Sequence, residues 1–181
     1  MKSPQDQFDK ILTQYPTVWS SPAKLMAYLR GCLRLAWKNH PIKHIFIKKI
    51  RKQIPNPNPR GNKPTVWGFT CAMCKNDFPT AQLQVDHINP AGKLSRLEDI
   101  QPFVERLLLV TEDDLRPVCK PCNNALSLAD RQGISYDDAI KRKKVIEFGK
   151  MSKEDQEKIV GKCKTKAECV RRFEEKMNEN T

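Results

Sequence analysis

The chain has 181 residues and carries 33 Lys and Arg against 21 Asp and Glu, which gives a net charge of +12. This excess makes a polyanion the first partner to consider, and no stretch approaches the roughly 18 consecutive apolar residues of a transmembrane helix. The first residues also lack the apolar run of a secretory signal. We therefore expect a cytoplasmic protein with no membrane partner.

The positive charge is concentrated in the first third of the chain. Residues 1–64 contain 13 Lys and Arg against 2 Asp and Glu, a net +11, whereas residues 65–181 contain 20 against 19. A balanced body with a basic arm is common in nucleic-acid-binding proteins, although a basic face that only keeps a protein in solution has the same composition. We expect phosphate contacts to dominate binding, so that affinity falls steeply as the salt concentration rises.

The first strongly periodic segment predicts an amphipathic helix from residue 22 to about residue 39. Ser21 is a good N-cap residue and Pro22 suits the first helical position, while Pro41 prevents the helix from continuing. Apolar residues recur at helical spacing on one face: Leu25, Met26, Leu29, Leu33, Ala36 and Trp37. We expect this face to pack in the core, and Trp37 to pack there rather than stack on a base.

A second, basic helix is predicted over residues 42–54, and a segment with four prolines follows it. Proline has no backbone N–H and its ring blocks a helix, so residues 55–64 are interpreted as an extended linker. The candidates for phosphate contact are the basic residues of the two helices and their ends: Arg30, Arg34, Lys38, Lys43, Lys48, Lys49, Arg51 and Lys52. His40 and His44 are expected at the surface, since Pro41 between them breaks the helical spacing that a metal pair needs.

The cysteine spacing predicts a metal site. The chain has seven cysteines, an odd number, and four of them form two C-x-x-C pairs separated by 44 residues. The pairs are Cys71 with Cys74, and Cys119 with Cys122. Two such turns can aim four thiolates at one tetrahedral zinc ion, whereas a redox dithiol explains only one pair; four unrelated buried thiols are the remaining alternative. Cys163 and Cys169 are expected to be free thiols.

A short sequence between the two pairs has the residue types of a catalytic site. Residues ahead of Asp86 alternate in polarity, which predicts a strand, and an Asn-Pro pair ends it. If four cysteines complete a zinc site, His87 is not needed as a ligand, and its imidazole can take a proton from water near neutral pH. Asp86 can hold a hard cation such as Mg²⁺, and a carboxamide from Asn123 or Asn124 can add an oxygen ligand.

These elements, taken in order, resemble the zinc-containing HNH endonucleases. The resemblance covers about residues 66–130 and rests on Cys71-x-x-Cys74, Val85-Asp86-His87-Ile88 and Leu115-Arg116-Pro117-Val118-Cys119-x-x-Cys122-Asn123. It implies a ββα-metal core, in which two strands and a helix surround one catalytic metal and a four-cysteine zinc holds the ends together. The fold class implied for the chain is α+β, mainly helical. The flanks resemble, more loosely, free-standing nucleases of bacteriophage genomes, which implies a viral or mobile-element origin and the host cytoplasm.

The resemblance also implies a role for each site residue. His87 would be the general base that activates water, and Asp86 and Asn123 would bind the catalytic cation, Mg²⁺ or Mn²⁺. The structural zinc would be bound by Cys71, Cys74, Cys119 and Cys122. The implied reaction is hydrolysis of phosphodiester bonds in DNA, most naturally double-stranded, with one catalytic metal and with a 5′-phosphate and a 3′-hydroxyl as products.

The chain departs from the family pattern at two positions. Asp114 stands where the family has its middle asparagine, whose side chain fixes the loop that orients the histidine. A carboxylate accepts hydrogen bonds but cannot donate them, which puts this role in question. Leu126 stands where a basic residue is common, so a phosphate contact is either missing or supplied by Lys120 or Arg131.

After residue 130, three helix-start signatures predict a helical tail. Each pairs a Ser or Thr with an acidic residue three positions later: Ser135 with Asp138, Ser152 with Asp155, and Thr165 with Glu168. The predicted organisation is a basic helical nucleic-acid-binding module over residues 1–54, a Pro-rich linker over 55–64, a nuclease core over 65–130 and a helical tail over 131–181.

Two other functions are compatible with the same residues. A non-catalytic zinc-ribbon protein that binds DNA or RNA would use the same cysteines and basic arm, and Asp114 would then mark a degenerate nuclease. Such a protein has no need for a spare imidazole beside a carboxylate, which favours the enzyme. A virion protein that uses zinc only as a staple would leave the arm, with its net charge of +11, unexplained.

Overall fold

Eight α-helices and five strands form the part of the chain that the computed structural model describes, residues 3–58 and 63–179. The chain divides into two compact units, Met1–Cys119 and Lys120–Thr181. The first unit contains α1 (Pro4–Gln14), α2 (Pro22–Lys38), α3 (Pro41–Ile50), β1 (Lys52–Pro55), β2 (Thr65–Thr70), β3 (Asp77–Pro79), β4 (Leu83–His87), α4 (Ile100–Leu108) and β5 (Leu115–Cys119). The second contains α5 (Lys120–Gln132), α6 (Tyr136–Lys150), α7 (Lys153–Val160) and α8 (Lys166–Glu179). Helices dominate and both sheets are small and antiparallel, so the mainly helical α+β class is confirmed.

Helix α2 begins and ends where the sequence predicts. The Ser21 hydroxyl oxygen accepts a hydrogen bond from the Lys24 backbone N–H at 3.3 Å, and Pro22 occupies the first turn. The helix ends at Lys38, just before the proline that opens α3. The Trp37 side chain is only 8% exposed, which confirms that it belongs to the core.

The second basic helix is shorter than predicted. Helix α3 ends at Ile50 and Lys52–Pro55 forms strand β1, so the expectation of a helix through residue 54 is wrong. Strand β1 pairs antiparallel with β2, with Pro55 opposite Thr65, and the Ile54 side chain is buried. Pairing and burial are tertiary effects, and they outweigh the weak local preference for helix at these residues.

The Pro-rich segment that was predicted as a linker begins inside strand β1, and its residues 59–62 lie outside the described part of the chain. Pro55 ends an edge strand, where a missing N–H removes no ladder hydrogen bond. The Asn56 N–H donates to the Pro64 carbonyl at 2.9 Å, and its side-chain Nδ2 donates to the Lys63 carbonyl at 3.0 Å. The two ends of the segment are therefore tied to one another, while the four-part domain organisation stays a prediction.

A hydrophobic core of the first unit joins the N-terminal helices to the segment between β4 and β5. Its buried residues come from α2, α3, the loop before α4, α4 itself and the start of β5: Met26, Trp37, Phe46, Ala91, Leu94, Phe103, Leu107 and Leu115. Phe103 and Leu107 stand one turn apart on α4 and are fully buried, and truncating such a side chain typically costs about 2–5 kcal/mol. The basic helices α2 and α3 therefore share a core with residues that follow strand β4, which carries Asp86 and His87.

The strand predicted ahead of Asp86 is present as β4. It pairs antiparallel with β5, with Asp86 opposite Arg116 and His87 opposite Leu115. Opposite residues of an antiparallel pair point to the same face. The register therefore decides which side chains can contact Asp86 and His87.

All three predicted helix starts of the second unit are confirmed. In each, the side-chain hydroxyl oxygen accepts a hydrogen bond from the backbone N–H three positions later. The Asp138 N–H donates to Ser135 at 3.0 Å, the Asp155 N–H to Ser152 at 3.1 Å and the Glu168 N–H to Thr165 at 3.2 Å. Neither these helices nor any other among the described residues is long and apolar enough to span a membrane.

The expectation that Cys163 and Cys169 are free thiols is wrong. They form a disulfide, and their Cα atoms are 5.5 Å apart, within the usual range for such a bond. Cys163 precedes α8 and Cys169 lies in its first turns, so the entry into the helix brings them together. Both are buried beside Phe148, whose ring stacks on that of Phe173 with centroids 4.2 Å apart.

Candidate functional site

The four cysteines of the two C-x-x-C pairs come together in the structure. The sulfur atoms of Cys71, Cys74, Cys119 and Cys122 all lie within 4.8 Å of one another. In a tetrahedral site with Zn–S bonds of about 2.3 Å, the sulfurs are about 3.8 Å apart, so the set is compatible with one zinc ion. The cluster could therefore hold a metal ion such as zinc, as the spacing predicts.

The first pair lies in a tight turn at the end of β2. The Cys71 carbonyl accepts a hydrogen bond from the Lys75 N–H at 3.0 Å, and Lys75 has a φ of 61°, which is left-handed and rare for a residue with a Cβ. The Ala72 N–H donates to the Pro117 carbonyl at 2.8 Å. The Cys119 N–H donates to the Cys71 sulfur at 3.3 Å. These bonds hold the turn against β5.

The environment of the Cys71 sulfur favours a thiolate. Burial by itself raises the pKa of this thiol. Backbone N–H groups of Cys119, Cys74 and Met73 outweigh burial and bring the pKa of Cys71 down to about 7. The thiolate is the form of cysteine that binds zinc, so the turn prepares Cys71 to act as a ligand.

His87 ends strand β4 with its imidazole buried and its orientation defined on two sides. Its Nε2 lies 3.2 Å from the Leu107 carbonyl oxygen, and since a carbonyl only accepts, Nε2 carries the proton of the neutral ring. The Trp37 ring packs against the imidazole with centroids 4.2 Å apart. The remaining nitrogen, Nδ1, is therefore the one with a lone pair.

The neutral form of His87 is favoured. Burial lowers the pKa of His87 and is the largest influence; the Leu107 hydrogen bond and the charges of Asp86 and Asp114 act to raise it, while the charge of Arg34 lowers it further. Because the net effect is a pKa below the ordinary 6.5, the ring is unprotonated at pH 7. An unprotonated imidazole is what a general base requires.

Asp86 forms an ion pair that the sequence analysis missed. Both Nε and Nη2 of Arg116 lie 2.8 Å from the same oxygen, Oδ2, and both side chains are about a quarter exposed. The two residues are directly opposite one another on β4 and β5. An arginine in one strand of a pair can face an aspartate in the other, but only the register shows that these two residues are opposite one another.

A cavity of about 230 Å³ opens beside His87. Its lining comes from β4, the loop after it, α4 and the turn before β5: His87, Asn89, Glu105, Arg106, Leu109, Val110 and Asp114. Asn89, Glu105 and Arg106 are not among the site residues predicted from the sequence. The spacing of the apolar residues Phe103 and Leu107 could have indicated the helix that carries two of them.

Asp114, whose side chain was in question in the sequence pattern, caps its own turn. Its Oδ2 accepts hydrogen bonds from the Thr111 N–H and hydroxyl, each at 2.8 Å, and these donors lower the pKa of Asp114. Its backbone carbonyl accepts the Ile88 N–H at 2.9 Å, directly after His87. The side chain therefore acts only as an acceptor here, and a carboxylate can fill that role.

Asn123 lies in α5 and is half-buried. It belongs to the second unit, whereas Asp86 and His87 belong to the first. Its assignment as a ligand of the catalytic cation stays a prediction. Asp86 and His87 themselves are adjacent at the end of β4.

Most of the predicted phosphate-binding residues are exposed, but several already have contacts within the protein. Of the eight, Lys43 is half-buried and the others are exposed: Arg30, Arg34, Lys38, Lys48, Lys49, Arg51 and Lys52. Lys49 pairs with Glu112 at 3.0 Å and Lys52 with Asp77 at 2.8 Å, while the Arg51 guanidinium lies 4.5 Å from the centroid of the Trp67 ring. DNA would have to compete with these internal partners.

The two histidines beside Pro41 differ from each other. His44 is exposed, as expected. His40 is partly buried, its ring centroid is 5.4 Å from that of Trp37, and its Nδ1 is buried without a hydrogen-bond partner, so the expectation of a surface position is wrong for His40. His40 is partly buried because its ring lies against that of Trp37, which belongs to the core.

Comparison with models of known families, with curated proteins and with solved structures finds no match for this chain. The four-cysteine cluster is the part of the resemblance that the structure supports.

Proposed function

We propose that this protein is an HNH-type, metal-dependent endonuclease that hydrolyses phosphodiester bonds in DNA. The observation that carries the proposal is the state of His87: a neutral imidazole, buried, with Nε2 held by the Leu107 carbonyl, beside a cavity. A histidine that only fills space in a core does not need an adjoining cavity lined by polar groups. A general base does need one, because water and substrate must reach it.

His87 acts through Nδ1 in this proposal. Nδ1 takes a proton from a water molecule as the water oxygen forms a bond to phosphorus. The bond from phosphorus to the 3′-oxygen breaks, and that oxygen takes up a proton from solvent. The products are a 5′-phosphate and a 3′-hydroxyl, and the proton on His87 returns to solvent.

Asp86 and Asn123 are the residues proposed to hold the catalytic cation. Carboxylate and carboxamide oxygens are the hard ligands that Mg²⁺ and Mn²⁺ prefer, so the donor types fit. On Asp86, Oδ2 already accepts two N–H groups from Arg116, which leaves Oδ1 for the cation. When bound, the cation neutralises charge that develops on the phosphate oxygens and on the leaving oxygen.

The order of the elements supports a ββα-metal core. Strand β4 ends in Asp86 and His87, β5 pairs with it, and α5 follows β5 directly. A structural zinc on the four cysteines would link the ends of this core, and such sites contribute folding free energy. The exposed basic side chains of α2 and α3 would contact the phosphates of the DNA, since these helices share a core with the residues around β4 and β5.

One observation favours the alternative, a non-catalytic zinc-ribbon protein that binds nucleic acid. Arg116 neutralises Asp86, and an arginine beside a metal ligand weakens cation binding by charge repulsion. In this alternative the ion pair is purely structural, and His87 is a buried residue that packs on Trp37.

Cleavage of supercoiled plasmid with Mg²⁺ or Mn²⁺ tests the proposal. We compare the wild type with His87→Ala, and use His44→Ala as a matched control because His44 is exposed and distant in the chain from β4. All proteins are brought to the same zinc content. The proposal expects nicked or linear product from the wild type and from His44→Ala, and none from His87→Ala.

The same assay separates the alternative. A plasmid that is shifted on a gel by the wild type but never cut supports the binding protein. Cleavage by His87→Ala at the wild-type rate would show that His87 is not the base. Replacing Arg116 by Gln adds a second criterion: if the ion pair competes with the cation, Arg116→Gln lowers the metal concentration needed for half-maximal cleavage.

A further inference from the structure

A guanidinium group without a carboxylate partner lines the cavity beside His87. Arg106 on α4 donates its Nε–H to the Ala91 carbonyl at 3.3 Å, which orients the planar group. Within the described residues, no carboxylate forms an ion pair with Arg106, in contrast to Arg116, which is paired with Asp86. The charge of Arg106 contributes to lowering the pKa of Asp99, but the Asp99 carboxylate accepts hydrogen bonds from backbone N–H groups of the loop before α4.

The cavity wall also contains two acidic side chains. Glu105 and Asp114 both line it, and each already accepts a local hydrogen bond, Glu105 from the Gln101 side chain at 2.8 Å and Asp114 from Thr111. A phosphate that entered would meet these two carboxylates and the Arg106 guanidinium. Without Arg106 the cavity would repel an anion.

We propose that Arg106 binds the scissile phosphodiester in this cavity and offsets the negative charge that Asp114 brings to the site. The inference deepens the proposed function and rests on it. Arginine presents a rigid fork of N–H donors that matches two phosphate oxygens. The cavity, at about 230 Å³, is smaller than the roughly 300–1,000 Å³ of pockets that hold whole drug-sized ligands, which suits one phosphate group and a water molecule.

This assignment also answers the question raised by Leu126, which stands where related nucleases carry a basic residue. Lys120 and Arg131, the other candidates to replace it, belong to the second unit, whereas Arg106 and the cavity beside His87 belong to the first. Arg142 of the second unit is the matched control, because its Nη1–H also donates to an oxygen within the protein, that of the Gln132 side chain at 2.7 Å, and it has no role in the proposed site.

The first experiment measures single-turnover cleavage at saturating DNA for the wild type, Arg106→Gln and Arg142→Gln. Loss of one preorganised donor to a developing phosphate charge typically costs about 100-fold or more in rate. We expect that loss for Arg106→Gln and no change for Arg142→Gln, with all three proteins unfolding at the same temperature. A wild-type rate in Arg106→Gln would overturn the inference while leaving the nuclease itself established.

A double-mutant cycle tests the link to Asp114. If Arg106 offsets the charge of Asp114, the loss caused by Arg106→Gln is smaller in an Asp114→Asn background than in the wild type. Asn keeps an acceptor oxygen for Thr111, so the turn is retained. Equal losses in both backgrounds would show that Arg106 does not act against Asp114.

The second experiment does not depend on cleavage. Dimethyl phosphate is titrated into the zinc-loaded full chain, and the NMR signals of the His87 imidazole and the Arg106 Nε–H are followed. We expect both signals to shift in the wild type and in Arg142→Gln, and the His87 signal to stay unchanged in Arg106→Gln. No shift in the wild type would overturn the inference. Shifts in a protein that never cleaves DNA would support the phosphate site and refute the proposed function.

Discussion

Replacing Trp37 by alanine should destabilise the first unit far more than the same change at Trp67. Trp37 is 8% exposed and its ring contacts the rings of His87 and His40, whereas Trp67 is 49% exposed and contacts Arg51. The pair is well matched, because each ring also has a cation nearby: Lys43 lies 5.5 Å from the Trp37 ring and Arg51 4.5 Å from the Trp67 ring. The difference between the two variants therefore measures burial.

The magnitude follows from area. A buried tryptophan removes about 150–250 Å² from water, which at about 25 cal/mol per Å² is about 4–6 kcal/mol as an upper value. Substitutions of buried Trp or Phe by Ala typically cost about 3–5 kcal/mol, and this is the range expected for Trp37→Ala. Trp67→Ala loses about half that area, which is about 1.5–2.5 kcal/mol on the same scale, and a cation–π contact worth about 0.5–1 kcal/mol at an exposed site, so we expect about 2–3 kcal/mol.

Urea unfolding followed by tryptophan fluorescence makes the measurement. All three tryptophans of the chain lie in the first unit, so the remaining two report on that unit in each variant. With a slope of about 1–3 kcal/mol per molar urea, Trp37→Ala should lower the midpoint by about 1–5 M. Equal midpoint shifts for the two variants would refute the view that α2 is packed into the core around His87.

Three further predictions follow from the described contacts. Removing the metal with a chelator, or replacing Cys122 by Ser, should abolish the cooperative thermal transition seen by circular dichroism, because structural zinc sites contribute folding free energy; an unchanged transition would mean that the cysteines bind no structural metal. Burial lowers the pKa of His87 below 6.5, so as the pH falls the unfolded chain is protonated at this residue before the folded chain is. The free energy of unfolding and the cleavage rate should therefore be maintained at pH 7 and decline only in acid. An NMR titration that gives His87 a pKa above 6.5 would contradict this. A Cβ at Gly68 would come within 2.6 Å of the Phe78 carbonyl, so Gly68→Ala should cost about 1–3 kcal/mol in urea unfolding. Nothing lies within 4 Å of a Cβ at Gly31, so Gly31→Ala should instead stabilise α2 by about 0.5–1 kcal/mol.

Some features of the fold were predictable because they depend on neighbours in the sequence. Ser21, Ser135, Ser152 and Thr165 cap helices through bonds to residues three positions away, so the residue types alone indicate the helix starts. The alternation before Asp86 likewise predicts strand β4. The disulfide between Cys163 and Cys169 is local too, but the prediction of free thiols at these positions was wrong.

The candidate site was predictable only in its parts. The two C-x-x-C pairs indicated a four-sulfur cluster because a tetrahedral ion requires four ligands, and the structure brings them together. Asp86 and His87 were selected by residue type. Their partners Arg116, Trp37 and Leu107 come from elements far away in the chain, and spacing contains no information about such contacts.

The sequence by itself determined the basic arm, the helix boundaries set by Ser21 and Pro41, the strand before Asp86 and the pairing of cysteine turns, since each depends on composition or on residues a few positions apart. Only the tertiary structure decided that residues 52–55 form a strand, that Trp37 covers His87 and that Arg106 lines the cavity beside it. The physical reason is that strand pairing, burial and the local dielectric are set by groups distant in the chain. Those same distant groups make His87 a neutral imidazole with one defined free nitrogen.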